Sequence, residues 1–173
     1  MSETKGPEAT TGESPESRTA ELRLEKFLPY RLSVLSNRVS NAIAGAYGAK
    51  FGLTLPAWRV MAILGRYPGL SAAELVEQTA MDKVAISRAV SALLKSEYLE
   101  RKEDQVDRRR QMLYLSESGK GVYNRIVPLA KRYENDLMAS LTEEERVQLD
   151  VILEKLMSRA LEWGMHGLAS HED

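Results

Sequence analysis

The sequence predicts a mainly α-helical chain with one small β-hairpin. Apolar residues recur three or four positions apart through most of its length, and Ser, Thr or Asp residues stand where helices should open. One pair of short alternating runs, Tyr98 to Lys102 and Gln111 to Leu115, flanks a loop crowded with arginine. At 173 residues, the chain suits one domain with a full core, or a small domain with helical extensions.

Residues 1–22 are rich in Ser, Thr, Glu, Gly and Pro, a composition too poor in apolar surface to offset its ordering entropy, and are expected to be a disordered tail. From Leu24 the spacing becomes helical, through Leu28, Leu32, Leu35, Val39, Ile43 and Tyr47. Pro29 is tolerated in a first turn, and Phe51-Gly52 marks the exit. Arg31, Asn37, Arg38 and Asn41 lie opposite the apolar stripe. A helix of this length and pattern, over residues 23–53, serves either as an arm against a second subunit or as ordinary core.

Thr54-Leu55-Pro56 opens a second helix containing Trp58, Met61, Ala62 and Leu64, stopped by Tyr67-Pro68-Gly69. Ser71 with Glu74 three residues on is a capping box for a short third helix. After the break at Met81, Asp82 caps a fourth that runs to about Ser96. Two short helices separated by a tight polar break make a helix-turn-helix. In the fourth helix Ile86, Ala89, Val90, Leu93 and Leu94 form the inward stripe, which leaves Lys83, Val84, Ala85, Ser87, Arg88 and Ser91 outward. Small side chains with a few cations allow a helix to approach base edges closely, whereas an ordinary surface helix displays more Glu, Lys and Gln.

The hairpin that follows carries Asp107-Arg108-Arg109-Arg110 in its loop. Successive arginines repel one another unless an anion neutralises them, and a phosphate backbone or narrow minor groove does so well. A solvated loop is the usual reading of such a run, but after a helix-turn-helix it becomes a DNA-binding wing. Asp107 stands where it can brace the Arg109 guanidinium. Ser116 then caps a long helix through Val122, Ile126, Leu129, Tyr133, Leu137 and Leu141, with Pro128 inside it. Thr142 and Glu145 form a second capping box, opening a last helix with Leu149, Ile152, Leu153, Leu156, Met157, Ala160 and Leu161 on one stripe. The organisation expected is therefore a winged helix-turn-helix lobe at residues 54–118, dimerisation helices at 23–53 and 119–164, and a flexible tail at 165–173.

Composition narrows the functions available. With 24 Lys+Arg against 25 Asp+Glu the chain has a net charge of -1, so any basic surface is local. That surface concentrates between Lys83 and Arg110, and the segment from Thr142 onward is acidic. The absence of cysteine removes disulfides, thiol catalysis and cysteine metal sites. The only histidines, His166 and His171, lie near the end and leave no material for a triad or zinc cluster in the body. No Gly-rich phosphate loop or nucleophile elbow is present, so no enzyme, catalytic residue, metal or cofactor is expected. No apolar run approaches the ~18 residues of a membrane span, and the expected compartment is cytoplasmic.

The order of these elements, with the wing Asp107-Arg108-Arg109-Arg110-Gln111-Met112-Leu113-Tyr114-Leu115-Ser116-Glu117-Ser118-Gly119, resembles the MarR family of transcriptional regulators over about Leu24 to Gly164. The resemblance implies that Arg109 enters the minor groove with Asp107 orienting it, and that Ser87 and Arg88 face the bases. Lys83 and Ser91 join that base-reading group, and Arg101, Lys102, Arg108 and Arg110 are assigned to phosphates. One departure is Glu97, where the family often has glycine at the exit of the recognition helix; a left-handed cap there is expected to be made differently or not at all.

The resemblance further implies a homodimer on a palindromic double-stranded operator, with repression relieved by a small aromatic or otherwise lipophilic acid bound between dimer arm and DNA-binding lobe. The peroxide-sensing and zinc-sensing varieties do not fit a chain without cysteine or a histidine cluster. The segment Leu28 to Arg38, with Trp58-Arg59-Val60-Met61, is similar to the branch that senses aromatic acids as coenzyme A thioesters. On that reading Tyr30, Trp58 and Met61 cover an aromatic acyl group, and Arg31, Asn37, Arg38 and Arg59 meet carboxylate or phosphate oxygens. The opposing reading makes Trp58 and Met61 core and the arginines dimer salt bridges. A winged helix that docks an acidic protein partner, without sequence-specific DNA binding, is the alternative function.

Overall fold

A computed structural model of the chain describes residues 22–104, 107 and 109–166. The tail readings for residues 1–21 and 167–173, and the phosphate role of Arg108, lie outside the described residues. Six helices and one hairpin follow in order: α1 Leu28–Phe51, α2 Leu55–Arg66, α3 Ala72–Thr79, α4 Lys83–Lys95, β1 Leu99–Glu103, β2 Gln111–Leu115, α5 Glu117–Met138 and α6 Glu143–His166. The mainly α fold with a two-stranded antiparallel hairpin is the one expected. Among the described residues no helix is long and apolar enough to cross a membrane.

By compactness the chain divides inside α1, between Val39 and Ser40. In the first unit a hydrogen-bonded turn, in which the Phe27 amide donates to the Arg23 carbonyl at 3.0 Å, precedes the helix. Its apolar side chains, among them Phe27, Leu28, Tyr30, Leu32 and Leu35, are exposed.

The second unit holds the core. Tyr47 comes from the end of α1, Ala57, Val60, Met61 and Leu64 from α2, and Leu75 from α3. Ile86, Ala89, Val90 and Leu93 of α4, Leu99, Leu113 and Leu115 of the hairpin, and Val122 and Ile126 of α5 complete it. Each fully buried aliphatic side chain here contributes about 1.5–3 kcal/mol. The helix starts are set by short polar side chains, each accepting an otherwise unpaired amide: Thr54 from Ala57, Ser71 from Glu74, Asp82 from Ala85 and Ser116 from Gly119. The capping box at Ser71 and Glu74 forms in both directions, as does that of Thr142 and Glu145.

The hairpin pairs Leu99 with Leu115 through Glu103 with Gln111. Its second strand has another neighbour: the Gly69 amide donates to the Leu113 carbonyl at 3.0 Å, and the Leu113 amide donates to Leu70 at 2.9 Å. The loop after α2 is thereby stitched to the wing.

Two expectations change. α5 ends at Met138, not Leu141, because the Ser140 hydroxyl takes the Leu137 carbonyl and Thr142 is committed to capping α6. The left-handed cap after α4 is made by Glu97 itself, at φ 57. The Glu97 amide donates to Leu94 and the Tyr98 amide to Leu93, the double closure of a Schellman motif, so tertiary context imposes on glutamate the conformation that glycine usually takes.

Candidate nucleic-acid interface

α4 places its side chains as its periodicity requires. Ile86, Ala89, Val90 and Leu93 are buried, and Leu94 is half-buried. Lys83, Val84, Ser87, Arg88 and Ser91 are exposed and Ala85 half-exposed, so the outward face assembled from sequence exists as one surface. Val84, with 56% of its surface open, is, among the described residues, the one large apolar side chain on this face.

The wing turn is held by a chain of local hydrogen bonds. The Asp107 amide donates to Asp104 Oδ1 at 3.1 Å, the Arg109 amide donates to Asp107 Oδ1 at 3.1 Å, and the Arg110 amide donates to the Asp107 carbonyl at 2.8 Å. This corrects the expected role of Asp107. Its carboxylate grips the backbone of Arg109 rather than the guanidinium, and so shapes the turn that presents Arg109, which is exposed.

The remaining cations divide. Arg101 is exposed on β1. Lys102 on the same strand pairs with Glu100 at 2.8 Å and lies 5.0 Å from the centre of the Tyr114 ring. The hydrogen bond and charge of Glu100 raise the pKa of the Lys102 ammonium. Arg110 meets a residue that the sequence reading assigned only to a cap: its Nη2 stands 3.3 Å from Glu74 Oε1 at the start of α3. Among the described residues no cluster of three or more metal-ligating side chains occurs.

The ligand candidates separate into two sets. Tyr30, Arg31, Asn37 and Arg38 are exposed on the first half of α1. On α2, Trp58 and Arg59 are half-buried, whereas Met61 has no exposed surface and belongs to the core with Ala57, Val60 and Leu64. Trp58 stacks on Tyr123 with ring centres 6.0 Å apart and tilts against Tyr47 at 5.7 Å. Tyr47, read from sequence as one more apolar position, is fully buried with a hydroxyl that has no hydrogen-bond partner among the described residues. Burial pushes its pKa up, opposed by the charge of Arg59.

The chain is similar to known proteins in sequence and in fold. A sequence profile of the MarR family matches residues 51–110, from the end of α1 to the wing. The HTH-type transcriptional regulator BilQ of Clostridium symbiosum is 30% identical over 107 residues, covering 62% of this chain and 74% of BilQ. A MarR/EmrR family regulator from Acinetobacter sp. ADP1 superposes with a TM-score of 0.75 at 26% identity, over 82% of this chain and 99% of that one. BpsR of Bordetella bronchiseptica, whose DNA binding is regulated by 6-hydroxynicotinic acid, shares the fold with a TM-score of 0.68 at 21% identity, over 77% of this chain and 94% of BpsR.

Proposed function

The chain belongs to the MarR family of DNA-binding transcriptional regulators, and from that premise we propose that it is a homodimeric repressor released from a palindromic operator by a small aromatic acid or its coenzyme A thioester. The observation that carries the DNA-reading part is the single exposed face of α4 beside the wing. On this proposal Lys83, Ser87, Arg88 and Ser91 read base edges in the major groove, with Val84 and Ala85 supplying apolar contact. Arg109, on a turn shaped by Asp107, enters the minor groove, and Arg101 and Lys102 meet phosphates, Lys102 by exchanging Glu100 for a phosphate oxygen.

Dimerisation is supported by apolar side chains that a monomer leaves in water. On α6 these include Val151, Ile152, Leu153, Leu156, Met157, Leu161 and Trp163, each more than a third exposed. Residues 23–53 and 119–164 are proposed as the dimer region, and 54–118 as the DNA-binding lobe.

The effector reading rests on the Tyr47, Trp58 and Tyr123 rings. A buried hydroxyl without an acceptor is costly, by about 1–3 kcal/mol, and is a ready donor to a carboxylate. Trp58 and Arg59 are proposed to meet the acid, while Met61 supports them from the core. Tyr30, Arg31, Asn37 and Arg38, expected from the sequence to meet an acyl or phosphate portion, are exposed on the first half of α1. That BpsR responds to a heteroaromatic carboxylic acid supports the same class of effector here. Such an acid shifts the spacing of the two recognition helices only by its difference in affinity for the bound and released states.

Thermal-shift titration with benzoate, hydroxybenzoates and their coenzyme A thioesters tests the effector. Stabilisation by an acid or thioester that also dissociates the chain from its promoter DNA supports the proposal. Stabilisation by free acids alone removes the thioester version, and no response to either class removes the aromatic effector.

A further inference from the structure

Arg110 belongs to the arginine run, yet its guanidinium meets Glu74, 36 residues earlier in the chain, with Nη2 3.3 Å from Oε1. Glu74 is itself fixed. Its other oxygen, Oε2, accepts from the Ser71 amide at 2.7 Å and the Ser71 hydroxyl at 2.6 Å, so the capping box aims the remaining oxygen at the wing. The pair joins the wing to α3, and among the described residues backbone hydrogen bonds join the second wing strand to the loop before α3, where Leu113 pairs with Gly69 and Leu70. Leu113 and Arg110 lie three residues apart, about 10 Å along an extended strand. The base of the hairpin is fixed by the buried Leu99, Leu113 and Leu115, and the Arg110 to Glu74 pair is an attachment nearer its loop, where Arg109 stands.

We propose that Arg110 is a positioning residue, not a phosphate contact: through Glu74 it clamps the wing to the start of α3 and so sets where Arg109 stands relative to α4. The proposal rests on the DNA-binding reading of the wing. Both side chains are substantially exposed, 48% and 40%, so the clamp adds little to folding stability. Its effect lies in geometry, because Arg109 and α4 must reach one duplex together.

Fluorescence anisotropy with a duplex containing the promoter region beside the protein's own gene, measured across a series of salt concentrations, separates the two roles. The full chain is compared with Glu74→Gln, Arg110→Gln and the double variant. Gln at 74 retains the reciprocal cap, so α3 keeps its start while the charge pair is lost. Each single variant is expected to weaken binding by about three- to ten-fold, with the double variant no weaker than either single. The slope of log affinity against log salt is expected to stay at the wild-type value.

The proposal is overturned if Glu74→Gln binds as well as or better than wild type while Arg110→Gln lowers the salt slope by about 0.9, the signature of one lost phosphate contact. Single effects that multiply in the double variant also overturn it. Hydrogen exchange in the free protein supplies a second readout: both single variants are expected to speed exchange at the Asp104 and Arg110 amides, and unchanged protection there contradicts a clamp. Failure of the unmodified chain to bind the duplex is a different result, and counts against the DNA-binding reading itself.

Discussion

Gly119 and Tyr98 meet backbone to backbone: a Cβ at position 119 would stand 2.0 Å from the Tyr98 carbonyl oxygen. That oxygen accepts the Ser116 amide at 3.1 Å, the Ser116 hydroxyl donates to the Glu97 carbonyl at 2.6 Å, and the Gly119 amide donates to the Ser116 hydroxyl at 3.0 Å. The exit of α4, the end of the wing and the first turn of α5 are thus closed on one another.

Gly119→Ala is therefore expected to destabilise the fold by about 3 kcal/mol, because backbone, not a flexible side chain, has to move. For a chain of this size that lowers Tm by roughly 6–12 °C. Calorimetry checks it, and a change within about 1 °C would show that the contact relaxes freely.

Glu97 holds a left-handed conformation that costs a side chain about 1 kcal/mol. Glu97→Gly is expected to stabilise by up to about 0.5 kcal/mol after the greater freedom of glycine in the unfolded chain is counted. Glu97→Ala, which retains a Cβ, is expected to give no such gain. Chemical denaturation of both variants tests the difference.

The Glu74 carboxyl is held below the usual carboxylate range, first by the Ser71 hydroxyl and amide and then by Arg110. A depressed folded-state value contributes stability that is present above the unfolded value, about 4.3, and is lost as pH falls through the folded one. Glu74→Ala is thus expected to show its full Tm deficit at pH 7 and a shrinking deficit below about pH 4. A deficit unchanged down to pH 3 would contradict the assignment.

On α6, Ile152 and Leu156 are 52% and 38% exposed. If they join two copies, light scattering gives the wild type twice the 19.4 kDa of one chain, and Ile152→Asp with Leu156→Asp gives the single mass. The monomeric variant is also expected to lose high-affinity DNA binding, since it grips one half-site. A wild type that runs as one chain removes the dimer.

What the sequence discloses here is what local chemistry decides. The starts of α2, α3, α4 and α5 were readable because each depends on a side chain accepting an amide three residues on. The buried and exposed faces of α4 followed from periodicity alone. The left-handed state of Glu97 was hidden because its usual signal, glycine, is missing and the surrounding closure enforces it. Asp107 was placed near the right partner, Arg109, but spacing cannot distinguish an amide from a guanidinium. The Arg110 to Glu74 pair spans 36 residues and leaves no local trace. The depth of Met61 and the unpartnered hydroxyl of Tyr47 were not legible, because an apolar stripe says which face turns inward, not how deeply each member sits or whether a hydroxyl finds a partner.

The central claim is that α4 and the wing read DNA together, and the affinity of Arg109→Ala for the promoter duplex at fixed, moderate salt tests it most directly. The account predicts nanomolar binding by the wild type and a loss of at least about ten-fold in the variant, with the fold and oligomeric state unchanged. Equal affinity of the two proteins, or no nanomolar binding by the wild type, would contradict it.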